Sequence, residues 1–200
     1  MKCASLIPVL TSLSGLLACG QGFIYDQQSS TDESVLPNGS GTSIQLSSPL
    51  GQSFTPNLTA VNFIRLNLND NNPNNSLGGI IYLNLRTDTV GGTLLATTTP
   101  VTFANGFTGT ADFYFASDVP LTPSATYAFE LVIQLGSDSW NALAWEYNYP
   151  GGVAFGNGVP APAGDLWFRE GTIVPEPSVG ALTLLGAGVL WWNRRKRRLG

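Results

Sequence analysis

Residues 62–69 read NFIRLNLN, and their apolar and polar side chains alternate with a period of two. Ile64, Leu66 and Leu68 fall on one face of an extended chain, and polar residues fall on the other. Successive side chains of a β-strand point to opposite sides, so the pattern predicts a strand with one buried face and one face in water. Such half-buried strands are typical of antiparallel sheets.

The same alternation returns along the middle of the chain. It is present at 81–86, 111–115, 127–134 and 165–169. The stretches between are rich in Gly, Pro, Asn and Asp, which are the usual turn residues. No stretch from 22 to 172 shows the 3.6-residue period of an amphipathic helix. The pattern predicts about eight or nine strands in an all-β, jelly-roll-like antiparallel sandwich.

Several kinds of catalytic chemistry are missing from this chain. It contains no histidine, which excludes Ser-His-Asp and Cys-His triads and histidine-based zinc sites. Its two cysteines, Cys3 and Cys19, lie near the N-terminus, so the sandwich has neither a disulfide nor a thiol nucleophile. We predict a non-enzymatic protein without a cofactor. Glycan hydrolysis by carboxylates alone is the weaker alternative.

The charges of the chain are divided unevenly. The net charge is −4, but five of the nine basic residues lie at 194–198. Residues 21–173 hold three arginines against twelve acidic residues, a net charge of −9. An acidic surface repels phosphate, so nucleic acid is not expected as a partner.

Residues 1–20 have the layout of a secretory signal peptide, with a lysine, an apolar stretch and small residues at the end. This predicts export through the Sec translocon and cleavage by a signal peptidase. Cleavage after Gly20 fits the small residues Ala18 and Gly20. The stretch 16–19, LLAC, also matches a lipobox, in which Cys19 would be lipidated and become the first residue. Both alternatives stay open.

Residues 174–200 have three parts in a fixed order. Pro175, Glu176 and Pro177 come first, and the fifteen residues 178–192 carry no charge. As a helix this stretch is ~22 Å long, against ~30 Å for the bilayer core, and two tryptophans end it. A basic cluster follows: Arg194, Arg195, Lys196, Arg197 and Arg198. The order predicts one transmembrane helix with the basic end in the cytoplasm and the sandwich outside.

This tripartite end resembles the PEP-CTERM sorting signal of Gram-negative bacteria. The resemblance implies that an exosortase, a membrane-embedded cysteine protease, recognises Pro175, Glu176 and Pro177 and removes the tail. It also implies transient residence in the inner membrane, followed by transfer to the cell surface or the exopolysaccharide layer. The division of the chain is then a signal peptide at 1–20, a Ser/Gly-rich lead-in with early strands at 21–50, the sandwich at 51–173 and the sorting signal at 174–200.

The middle of the chain has a resemblance of its own. GQSFTP at 51–56, IYLNLRTDTVGGTLLATT at 81–98, VPLTPSATYAFELVI at 119–133 and DLWFRE at 165–170 are similar to the choice-of-anchor β-sandwich domains, type R most closely. That resemblance implies a domain outside the cell whose molecular activity is undefined. Together the two resemblances imply an envelope protein with a structural or adhesive role in exopolysaccharide.

Aromatic residues at 140–149 are the first candidate binding site. Trp140, Trp145, Tyr147 and Tyr149 are candidate glycan contacts, because exposed rings stack on sugars and many jelly rolls bind glycans. Asp138 and Asn141 would bond the sugar hydroxyls. The alternative is that the alternating rings belong to the core of a strand.

Acidic residues supply two further candidates. Asp70 opens the stretch 70–75 as in an EF-hand loop, but the glycine and the glutamate that such a loop needs are missing. Asp70 is therefore a weak calcium candidate, with a solvated turn as the alternative. Glu146, Asp165 and Glu170 would form a hydrolase pair only if the fold brought two of them together. Surface solubility is the alternative for these three.

Overall fold

The alternating segments form two antiparallel sheets in the computed structural model of the protein, which describes residues 21–33, 41–162 and 164–175. The described part of the chain has no helix. It has fourteen strands, more than the predicted eight or nine, because six of them are only two to four residues long, too short to show a period of two by themselves.

The strands in chain order are β1 (Gln21–Gln28), β2 (Gly41–Ser43), β3 (Leu50–Phe54), β4 (Ala60–Asp70), β5 (Gly79–Thr87), β6 (Leu94–Thr97), β7 (Val101–Phe103), β8 (Thr108–Pro120), β9 (Tyr127–Ile133), β10 (Trp140–Tyr147), β11 (Ala154–Gly156), β12 (Val159–Ala161), β13 (Asp165–Leu166) and β14 (Phe168–Pro175). The first sheet has the order β1-β14-β4-β10-β13, and in addition β8 pairs with β4 and β2 pairs with β10. The second sheet has the order β12-β11-β3-β9-β5-β6, and β7 also pairs with β5.

The inward faces of both sheets share one hydrophobic core. β4 of the first sheet contributes Ile64, Leu66 and Leu68, each at most 1% exposed. Leu83 of β5 and Leu131 of β9 enter the same core from the second sheet. The predicted inward face of β4 is therefore confirmed. Its other face is not in water throughout, because Asn67 is 1% exposed. The arrangement of the two sheets is that of a β-sandwich.

The last strands differ from their sequence pattern. The alternation at 165–169 predicts Trp167 and Arg169 on a wet face, but they are 1% and 7% exposed. Residues after β1 cover them: Trp167 Nε1 donates to the Asp32 carbonyl and Arg169 Nε donates to the Ser30 carbonyl, both at 3.0 Å. A segment far away in sequence thus buries the second face.

Several predictions concern residues outside the described part of the chain. These are the signal peptide at 1–20, the apolar span at 178–192 and the basic cluster at 194–198. Of the Pro-Glu-Pro motif, only the backbone of Pro175 is described, at the end of β14. Among the residues that are described, none belongs to a helix able to cross a bilayer.

Candidate functional site

Trp140 lies in the core rather than on a binding surface. Its side chain is 0% exposed and packs against Phe103, with ring centroids 5.3 Å apart. Gly79 approaches the indole so closely that a Cβ atom there would overlap it. A ring without an exposed face offers nothing for a sugar to stack on, so Trp140 is a core residue and not a glycan contact.

Tyr149 is likewise a core residue, 6% exposed. Its ring meets the ring of Phe168 edge-on at 5.1 Å, and its hydroxyl donates to Gln27 Oε1 at 2.8 Å. Burial raises the pKa of Tyr149 to about 12, so the hydroxyl keeps its proton at neutral pH. Tyr147 is half-buried, and the side chain of Trp145 lies outside the described part. Trp140 and Tyr149 are therefore core residues, and two of the four candidate glycan contacts cannot form a binding surface.

The predicted hydroxyl partners take part in the loop structure beside β10. Asn75 Nδ2 donates to Asp138 Oδ2 at 2.6 Å, and Asn141 Nδ2 donates to Asn71 Oδ1 at 3.0 Å. Both bonds join the start of β10 and the residues before it to the loop between β4 and β5. Asp138 and Asn141 therefore stabilise that loop.

Asp70, the calcium candidate, holds two loops together. It is 5% exposed, and its two carboxylate oxygens accept the backbone N–H groups of Asn72 and Gly106, each at 2.8 Å. A carboxylate that binds local backbone donors in this way is a turn-forming group. In the described part of the chain, no three acidic side chains are grouped so that they could hold a metal ion.

Asp165 joins the two sheets through buried hydrogen bonds. Gln52, on β3 of the second sheet, donates Nε2 to Asp165 Oδ1 at 2.8 Å across the core. The Tyr149 N–H donates to Asp165 Oδ2 at 2.7 Å, and Gln52 Oε1 accepts the Leu166 N–H at 3.0 Å. Both carboxylate oxygens are thus engaged in holding the sandwich together.

Glu170 is a buried acid without such bonds. It is 0% exposed, and neither carboxyl oxygen has a hydrogen-bond partner in the described part of the chain. Burial raises the pKa of Glu170 to about 8, and the charge of Asp26 adds to the rise. A backbone contact with Gln27, outside normal hydrogen-bond geometry, offsets part of it. The carboxyl group is therefore mostly protonated at neutral pH.

Asp165 and Glu170 do not have the features of a catalytic pair. A glycosidase needs two carboxyl groups that face the substrate ~5–9 Å apart. Asp165 is engaged by protein donors, and Glu170 is closed to solvent. The side chain of Glu146 lies outside the described part. The geometry favours structural roles for both described acids.

The two arginines of the first sheet, Arg65 and Arg169, are paired with acidic residues within the protein. Arg65 binds Asp112 with two bonds, Nε to Oδ1 at 2.6 Å and Nη2 to Oδ2 at 2.9 Å. Its guanidinium also lies 4.8 Å from the centre of the Phe23 ring. Glu33 forms ion pairs with both Arg65 and Arg169. Phe23 and Glu33 of the lead-in thus cover part of the outer face of the first sheet.

A row of polar side chains crosses the outer face of the second sheet. Thr97 on β6, Asn84 on β5 and Glu130 on β9 are neighbours in register. Asn84 Oδ1 accepts from Thr97 Oγ1 at 2.8 Å, and Asn84 Nδ2 donates to Glu130 Oε2 at 3.1 Å. Arg86 Nε donates to the same Glu130 oxygen at 2.9 Å. We call Thr97, Asn84, Arg86 and Glu130 the polar row.

An aromatic ring and a notch border the polar row. Tyr82 precedes Asn84 by two residues on the same face of β5, and Val132 is its register partner on β9. A notch of about 240 Å³ lies between residues 130–133 of β9 and the 44–48 segment, near the start of β3. Glu130 thus belongs both to the polar row and to the lining of the notch.

Sequence reasoning missed the polar row as a site. The alternation does place Tyr82, Asn84 and Arg86 on one wet face, and Glu130 on another. It does not show that β5 and β9 are neighbours, or which residues of the two strands are opposite each other. That pairing needs the topology of the sheet, which no local pattern contains.

No protein-family model and no curated protein matches this chain. A functional conclusion therefore depends on the residues and their geometry.

Proposed function

We propose that the protein is an exported, non-enzymatic component of a Gram-negative cell envelope, with a structural or adhesive role in exopolysaccharide. The observation that carries the proposal is the ordered sequence at 174–200: a Pro-Glu-Pro motif, fifteen uncharged residues and a basic cluster. The jelly-roll-like sandwich is the part that the cell displays.

The proposed route begins at the Sec translocon and a signal peptidase, which act on residues 1–20. The apolar span then holds the protein in the inner membrane with the basic cluster in the cytoplasm. An exosortase-type enzyme recognises Pro175, Glu176 and Pro177 and removes the tail. The sandwich is released to the cell surface or the extracellular matrix.

A non-enzymatic role agrees with the chemistry of the described residues. Histidine is missing from the chain, and neither cysteine lies in the sandwich. Asp165 is engaged in bonds between the sheets, and Glu170 is sealed in the core. The second candidate function is a carbohydrate-binding module, and the polar row is the observation that favours it.

Replacing Pro175, Glu176 and Pro177 together with alanine is expected to block sorting, because the processing enzyme loses its recognition motif. Cells that carry this variant should accumulate the protein with its tail in the inner membrane, whereas the wild type leaves that fraction. The neighbouring substitution Val174→Ala is the matched control and should sort normally. Membrane fractionation followed by immunoblotting measures the distribution. Equal distribution of the triple variant and the wild type would remove the basis of the sorting proposal.

A further inference from the structure

We propose that the outer face of the second sheet, built from the polar row and Tyr82, binds a neutral polysaccharide. This inference rests on the proposed envelope role for its biological setting and on the geometry of β5, β6 and β9 for its site. It assigns the ligand to a face different from the one that the aromatic sequence at 140–149 predicts.

The polar row has the chemistry of a hydroxyl-binding surface. Asn84 and Arg86 supply planar donors, and Asn84 and Glu130 supply planar acceptors. Within the described part of the chain, Glu130 Oε1 and Arg86 Nη2 have no protein hydrogen-bond partner and are available to sugar hydroxyls. The side chains of Arg86 and Glu130 are 22% and 13% exposed, so neither is fully buried.

The charges of the site favour a neutral ligand. Arg86 and Glu130 form an ion pair at 2.9 Å, so the row has no net charge of its own. Because the two charges largely cancel, the row attracts neither anions nor cations strongly. The net charge of −9 over 21–173 further repels acidic polymers.

The row is held in place before any ligand arrives. Thr97, Asn84 and Glu130 are linked across three neighbouring strands, and Arg86 Nη1 also donates to the Gly92 carbonyl at 3.1 Å. Side chains that are already ordered lose little conformational entropy on binding. A rigid sheet with fixed donors and acceptors is therefore a suitable platform for a repetitive polymer.

The shape of the face suits an extended chain. The row runs across the strands rather than into a closed cavity, and the notch of about 240 Å³ is smaller than the ~300–1,000 Å³ pockets that enclose small molecules. Tyr82, a half-buried residue on the same face of β5, adds an aromatic ring beside the hydrogen-bonding groups. A polysaccharide can lie along the row while one of its units enters the notch.

Affinity electrophoresis of the protein from its native host tests the site. The gels contain dextran, mannan, xylan, mixed-linkage β-glucan or the exopolysaccharide of the host itself. We expect at least one neutral polymer to retard the wild type, and Tyr82→Ala and Asn84→Ala each to weaken that retardation about tenfold. Neither substitution removes the Arg86–Glu130 pair. Tyr114→Ala changes a half-buried tyrosine of the first sheet and is the matched control, which should bind normally.

Circular dichroism and thermal melting of each variant show whether weaker binding comes from the missing side chain or from a protein that has failed to fold. Retardation by the host polymer alone identifies the ligand as the cell's own matrix, and retardation by the other polymers identifies foreign glycans. Absence of retardation in every gel would overturn the inference, as would equal retardation of the wild type, Tyr82→Ala and Asn84→Ala. The fractionation experiment does not depend on polymer binding. The sorting proposal and the glycan-binding proposal can therefore be disproved independently of each other.

Discussion

Replacing Glu170 with glutamine is expected to stabilise the protein at pH 8 and to change its stability by no more than about 1 kcal/mol at pH 5. The folded protein buries this carboxyl group without a hydrogen bond, and its pKa rises from 4.5 to about 8. Glutamine has nearly the same shape but does not ionise. The free energy of unfolding of the variant therefore does not fall as the pH rises above 4.5, whereas that of the wild type does.

The sign of the effect follows from proton linkage. Below pH 4.5 the group is protonated in both the folded and the unfolded chain, so its contribution to stability is fully present. Between pH 4.5 and 8 the unfolded chain releases the proton and the folded chain keeps it, and the free energy of unfolding falls as the pH rises. Since each pKa unit corresponds to ~1.4 kcal/mol, the loss is on the order of 3–5 kcal/mol by pH 8.

Denaturant unfolding of the wild type and Glu170→Gln from pH 5 to pH 8.5 measures this difference. The gap between the two curves should widen with pH, with the variant more stable at the upper end. Asp88→Asn, at an exposed carboxyl group, is the control and should run parallel to the wild type. A gap that stays constant over this range would mean that Glu170 titrates normally in the fold.

Replacing Trp140 with alanine is expected to lower the free energy of unfolding by about 3–5 kcal/mol, the usual cost of removing a buried tryptophan. The ring is 0% exposed and packs against Phe103 and Phe107, so alanine leaves a cavity between the sheets. Trp140→Phe keeps most of the apolar contact and should cost clearly less. Equilibrium unfolding in urea gives the values.

Leu135→Ala is the control for this experiment. Leu135 is 99% exposed, and its replacement should change stability by no more than about 0.5 kcal/mol. A surface glycan platform would produce the opposite pattern for Trp140. In that case Trp140→Ala would unfold like the wild type and would lose its retardation by polysaccharide, and the core assignment would be wrong.

Local periodicity was sufficient to predict the all-β class and the inward faces of the long strands. Ile64, Leu66 and Leu68 are buried as their alternation requires. The pattern failed where a distant segment covers a strand. Trp167 and Arg169 alternate as wet residues, yet contacts with residues after β1 bury them, and a period of two has no information on such contacts.

The candidate site was less predictable than the fold. An aromatic residue between polar neighbours suits a core strand as well as a sugar platform, and only the packing of Trp140 against Phe103 distinguishes the two. Glu130 meets Asn84 because β9 and β5 are paired, and this pairing joins residues 46 positions apart. The polar row depends on this long-range strand pairing, which cannot be predicted from a single stretch of sequence.

The intact mass of the mature protein, purified from its native host, tests the central claim most directly. We expect a chain that ends near residue 177 and lacks the apolar span and the basic cluster. The N-terminal part of the same mass distinguishes a start at Gln21 from a lipidated Cys19. A mass that includes Arg198 would show that the tail is a permanent anchor and would contradict the proposed sorting to the cell surface.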